Sequence, residues 1–381
     1  MTQEAKDSGL LPGVQLLRGL SALLVVATHA NLILEHSRFL GHVAYRGVLN
    51  DAGLFGVSIF FVISGFIIAL VSLDDRWLPR LTRTDFARRR FVRIVPFLWV
   101  CVIGYNLLSL VSTHAVEWGP MLRALSVWPV GELKPNVVWS LRHEFLFYGL
   151  FLILVMGRRR HFLPLVLWFL APLLCWPLVP LLGVRPPEEL GGWSELFRVV
   201  FLGANGGANL QFGAGFLLGL LALRRHPVMA QRGFGLIAPL LATIAVALIV
   251  DRLALPNSLG RSLLWTALAV PPVWLAITCR ARAGWFKRAG LALGDSSFAL
   301  YLVHNPILLI VMQVARHLHL ISHPLFLPAA VAMAVLGGWV AHRLIERPLI
   351  RALAHGRPLA PWLRRRRSAP PSEAAAPGPA D

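Results

Sequence analysis

Apolar residues run through this chain in blocks of about twenty, and charged residues gather in the gaps between the blocks. The blocks fall at roughly 14–34, 50–73, 94–113, 136–156, 160–183, 200–223, 234–250, 262–279, 297–316 and 324–345. Most approach the ~20 residues that a helix needs to cross a bilayer. The pattern predicts an all-α polytopic membrane protein with about ten transmembrane helices. The sixth block is the least regular, because "NGGANLQFGAG" (205–215) breaks it with glycines.

Charge placement adds an orientation. The even-numbered loops hold seventeen Lys and Arg against nine in the odd-numbered loops, and "RRRR" follows at 364–367. Positive residues collect on the cytoplasmic side, so both termini are expected there. Residues 1–350 form the membrane domain in this reading. Residues 351–381, rich in Arg, Pro and Ala, form a tail expected to be disordered.

Composition agrees: of 381 residues, 56% are hydrophobic and 14% charged. The formal charge of +19 is therefore read as a topology signal and not as a nucleic-acid surface. Three cysteines, Cys101, Cys175 and Cys279, lie in apolar stretches without a CxxC or a histidine cluster. They read as packing thiols, and no metal site is expected.

Ionisable residues inside the blocks carry the chemistry, since each costs several kcal/mol unless it faces protein or water. The first block holds "RGLSALLVVATH" (18–29). Eleven residues turn a helix through about 1100°, so Arg18 and His29 share one face, roughly 16 Å apart. Arg18 falls near the cytoplasmic face and His29 in the outer half. The second block holds "FFVISGF" (60–66), where Ser64 serves either close packing or catalysis.

"RRRFVRIVP" (88–96) leads into the third block. Arg90 and Arg93 lie on one helical face, where they suit either a topology anchor or a phosphate site, because guanidinium forks bind phosphate bidentately. In "VWSLRHEFLFY" (138–148) the triplet Arg142, His143 and Glu144 falls at a depth like that of His29. Glu144 either orients an imidazole or pairs with an arginine such as Arg142. "SSFALYLVHNP" (296–306) places Tyr301 and His304 on one face, as packed core groups or as walls of a shared polar cavity. Glu346, in "IERPL", is available to an arginine of the second loop.

Taken in order, Arg-x10-His, "FFVISGF", "RFVR", "WSLRHEFLFY", "SFALYLVH" and "ERP" resemble the acyltransferase family 3 membrane proteins over residues 14–349. The chain is similar to the stand-alone members, which lack a fused extracytoplasmic hydrolase-like domain. The resemblance implies transfer of an acyl group, usually acetyl, from cytoplasmic acyl-CoA to a hydroxyl of a carbohydrate or glycolipid acceptor across the bacterial inner membrane. Acyl-CoA is a substrate here, and no permanently bound cofactor is expected.

On that reading, Arg18, Arg90 and Arg93 meet the donor's phosphates. His29, oriented by Glu144, is the catalytic base or a transient acyl carrier. Ser64, Tyr301 or His304 supplies donors to the thioester oxygen, and Trp139 and Ser140 complete the substrate-binding set. The rivals are a proton-coupled secondary transporter and a non-catalytic partner in polysaccharide export. The Arg-x-x-Arg pair suits a phosphate-bearing donor better than a transporter.

Overall fold

The computed structural model describes residues 11–41, 49, 51–156, 161–184, 191–203, 207–224, 235–253, 255, 258–279 and 284–355. Helices account for the architecture: α1 (Pro12–Glu35), α2 (Ala52–Ser72), α3 (Arg83–Thr113), α4 (Trp118–Leu125), α5 (Trp139–Leu154), α6 (Phe162–Phe169), α7 (Ala171–Cys175) and α8 (Gly192–Phe197). There follow α9 (Ala208–Arg224), α10 (Ile237–Leu253), α11 (Leu259–Thr278), α12 (Trp285–Asp295), α13 (Ser297–His317), α14 (Phe326–Ala341) and α15 (Arg347–His355).

Among the described residues, seven helical segments are long and apolar enough to cross a membrane, and α9 is a shorter apolar helix. The fifth apolar block, expected as one span, is divided between α6, α7 and a 3₁₀ turn at Trp176–Leu178. Pro172 and Pro177 fall at the starts of the second and third pieces, where a missing N–H is tolerated. The irregular sixth block splits at Gly203, in the left-handed region with φ 66°, which separates a π turn at Arg198–Leu202 from α9. Most of the expected tail lies outside the described residues, although α15 carries helix on to His355.

Helix starts follow local chemistry. Thr82 caps α3, accepting the Asp85 N–H at 3.1 Å while its hydroxyl donates to the Asp85 carboxylate at 2.8 Å. The arginines of "RRRFVR" therefore begin inside a helix and share its faces.

The first two helices form the centre of the bundle. α1 packs on α2, α11, α12, α13 and α14, and α2 packs on α9 and α11. Small residues allow the closest contact. A Cβ on Gly65 would lie 2.2 Å from the Phe212 carbonyl oxygen, and one on Gly215 1.8 Å from that of Val62. Backbone thus meets backbone between α2 and α9. Large apolar side chains such as Leu107, Val111, Ile153 and Leu217 remain exposed around the outside, as a protein solvated by lipid requires.

Candidate active site

A cavity of about 370 Å³ lies between α1, α2, α3, α5 and α13. One end is basic: Arg18, Arg89, Arg90 and Arg93 line it. The walls are apolar, built from residues such as Phe61, Ile63, Ile67 and Phe298. Ser64, Glu144 and Tyr148 also face it, as do Ser140 and Tyr301, which stand one turn along α5 from Glu144 and one turn along α13 from Ser297.

The four guanidinium groups are held differently. Arg93 donates to Glu346 at 2.6 Å, and Glu346 also bonds His342 at 2.7 Å from within a π-helical turn. The arginine expected to pair Glu346 is thus Arg93. Arg90 has no such carboxylate among the described residues. Its guanidinium packs 5.7 Å from the Phe86 ring and 5.6 Å from the Tyr148 ring, and its Nε makes no hydrogen bond. Arg18 donates to Gln15, which in turn donates to Asp295. Arg89, exposed beside them, was not singled out by the motif pattern. A strongly basic end on a cavity with largely apolar walls suits an anion carrying an apolar tail.

The triplet Arg142, His143 and Glu144 is divided among three environments, because successive residues on a helix point about 100° apart. Arg142 pairs with Glu195 at 3.1 Å and donates to the Gly131 carbonyl. Both members of that ion pair are buried. His143 is enclosed edge-on by the rings of Phe61 and Trp139. Glu144 alone faces the cavity. Trp139 packs against His143 and the core and does not line the cavity.

The expected pairing of Glu144 with His29 is not what forms. Glu144 Oε1 accepts from Ser64 at 2.9 Å and from the Tyr148 hydroxyl. That carboxylate therefore sits level with Ser64, nearer the basic end than its place in the sequence suggested. Ser64, meanwhile, is bonded to the carboxylate while its neighbour Gly65 does the close packing.

His29 instead meets His304. Nε2 of His304 lies 3.1 Å from Nδ1 of His29, with ring centroids 4.9 Å apart. His304 is fully buried and His29 partly so. Neither lines the cavity. Tyr301 does, and His304 follows it by three residues on α13, so the histidines stand about 4.5 Å of helical rise beyond Tyr301. Arg18 and His29 share a helix face, as expected, but only Arg18 reaches the cavity.

The donors foreseen for a thioester oxygen are already engaged. Tyr301 donates its one proton to the Val137 carbonyl at 2.9 Å, so its 2.7 Å contact with Ser140 is one it accepts. The Ser64 hydroxyl serves Glu144, and the His304 Nδ1 lies 3.1 Å from the Leu300 carbonyl. Tyr301 and Ser140 thus form a fixed link between α13 and the start of α5.

The chain is 27% identical to acyltransferase MdmB of Streptomyces mycarofaciens, over 92% of this chain and 94% of that protein. It is 30% identical to the exopolysaccharide production protein ExoZ of Rhizobium meliloti (strain 1021), over 78% of this chain and 90% of that one. No solved structure matches it. The acyltransferase domain family matches residues 11–343, nearly the whole of the helical bundle just described, and the chain belongs to that acyltransferase 3 family.

Proposed function

We propose that this protein moves an acetyl group from cytoplasmic acyl-CoA to a hydroxyl of a carbohydrate or glycolipid acceptor, as a multi-pass enzyme of the bacterial inner membrane with both termini inside. The observation that carries this reading is the cavity: four arginines at one end, largely apolar walls, and a histidine pair just beyond Tyr301. The donor's phosphates bind at Arg90, Arg89 and Arg18, and its pantetheine arm extends toward Tyr301. No group needs to be bound permanently. ExoZ, by its name, takes part in exopolysaccharide production, which favours a glycan as acceptor.

His29 acts as the base in this scheme. A sugar hydroxyl is a weak nucleophile, and a positioned base contributes about 10²–10⁴-fold in rate. As the hydroxyl oxygen bonds to the thioester carbonyl carbon, His29 Nε2 takes its proton. The tetrahedral adduct then collapses, the C–S bond breaks, and the same proton passes to the departing thiolate. The products are the O-acetyl ester and free CoA. Glu144 holds Ser64 and Tyr148 in the passage wall and offsets the arginine charge.

The test is transfer of labelled acetyl from acetyl-CoA in proteoliposomes supplied with a candidate glycan. His29→Ala is expected to lower turnover about 10²–10⁴-fold while acetyl-CoA binding persists. Near-normal turnover by that variant sinks the scheme. A labelled acetyl group trapped on His29 before acceptor is added replaces direct attack with a two-step route.

A further inference from the structure

We propose that His304 is a positioning residue for His29, fixing that ring in the tautomer that leaves Nε2 unprotonated. The inference deepens the reading above and rests on it where catalysis is concerned. The hydrogen bonds themselves can be tested without it.

The argument is an accounting of protons. A backbone carbonyl only accepts. Nδ1 of His304 lies 3.1 Å from the Leu300 carbonyl oxygen, and Nδ1 of His29 lies 3.0 Å from that of Val25. Each Nδ1 must therefore carry its proton, or two lone pairs would face each other at hydrogen-bonding distance. A neutral imidazole has one N–H. Nε2 of His304 is then a bare acceptor, and it stands 3.1 Å from Nδ1 of His29. The His29 Nδ1–H is shared between the Val25 carbonyl and that nitrogen, and every contact is satisfied.

The alternatives fail on cost. A doubly protonated His304 would be a cation in a fully buried position. No carboxylate lies within ion-pairing distance of either ring among the described residues, and an uncompensated buried charge is strongly unfavourable. Reversing both tautomers would set Nδ1 of each ring against a carbonyl lone pair.

The arrangement does for His29 what a carboxylate does for the base of a hydrolase triad, with a neutral acceptor in its place. It holds the ring by its Nδ1 edge and directs the Nε2 lone pair away from the helix backbone. When His29 takes up the acceptor's proton, the Nδ1–H to His304 becomes a charge-assisted bond, which is stronger than the neutral one. Val26, beside Val25 on α1, and Leu300 and Leu308, one turn to either side of His304 on α13, belong to a buried apolar cluster that offers no competing acceptor side chain.

The deciding experiment is ¹⁵N NMR of histidine-labelled protein in lipid, with the two signals assigned through His29→Gln and His304→Gln. Protonated Nδ1 and bare Nε2 are expected at both rings. A His29 protonated at Nε2 in the wild-type protein overturns the proposal, and no donor or acceptor need be present for that result. Kinetics give the second arm. His304→Leu is expected to lower kcat about tenfold to a hundredfold with the KM for acetyl-CoA little changed, while His304→Gln, whose amide oxygen can accept the same bond, recovers part of the loss. Equal defects in the leucine and glutamine variants would make the role one of packing. If acetyl transfer itself is never seen, the NMR result still decides the tautomer.

Discussion

Arginine occupies two kinds of place in this membrane domain, and the contrast between them separates scaffold from site. Arg142 is buried against Glu195, and it also donates to the Gly131 carbonyl. Its charge is met by that carboxylate, although its Nε, like that of Arg90, makes no hydrogen bond. At the basic end of the cavity four guanidinium groups meet one lining carboxylate, Glu144, and Arg90 is held by two aromatic rings instead of an acid. Positive charge without an internal partner awaits an external anion. Arg93 stands between the two kinds, lining the cavity yet bonded to the fully buried Glu346.

The largest expected effect comes from the scaffold. Arg142→Ala leaves the buried Glu195 carboxylate without a countercharge, held only by the Gly131 and Gly191 N–H groups, and breaking such a pair costs about 3–5 kcal/mol. Thermal unfolding in detergent should fall steeply, and an unchanged midpoint would break the contrast. Arg90→Ala should fold normally and weaken acetyl-CoA binding about 10–150-fold, the worth of about 1.5–3 kcal/mol for a charge-assisted contact. Calorimetric titration measures it, and an unaltered Kd would remove Arg90 from the donor site.

Arg93→Ala should divide its effect. Its affinity loss is expected to be smaller than that of Arg90→Ala, about tenfold or less, because Glu346 already offsets the charge. Its stability loss should be the greater, because Glu346 is left with His342 alone. A reversed order in either measurement would show that the pair opens for the donor. The smallest effect belongs to Lys134, which bonds Glu117 on the surface. That hydrogen bond holds the Lys134 ammonium above the ordinary lysine range, so its contribution is present at neutral pH and fades only as alkaline pH passes that raised value. Lys134→Ala should cost at most ~1 kcal/mol, and less in high salt.

Much of this was legible in the chain. Apolar blocks located the helices, and the shared face of Arg18 and His29 followed from the helical repeat. The arginine cluster announced the basic end. What failed was depth along a second helix. Counting residues put Glu144 level with His29, but the entry to α5 through a 3₁₀ turn and the antiparallel register of α2 set it beside Ser64. Glu195 was missed because it lies between apolar blocks, in "GGWSELF" (191–197). A buried Arg142 requires a carboxylate, and that requirement could have prompted a search of the flanking loops. A shared polar cavity was foreseen for the two histidines but their direct contact was not, because they are 275 residues apart and no local pattern reports such a meeting.

The backbone contact at Gly65 and Gly215 has a consequence for inheritance. Neither residue offers a side chain to any substrate, yet the smallest possible enlargement at either drives two helices apart and moves the wall that holds Ser64. A population of variants selected for acyl transfer would therefore lose substitutions at these two positions as surely as at any residue that touches substrate. Silence at a position, in this bundle, marks the absence of room as often as the presence of chemistry.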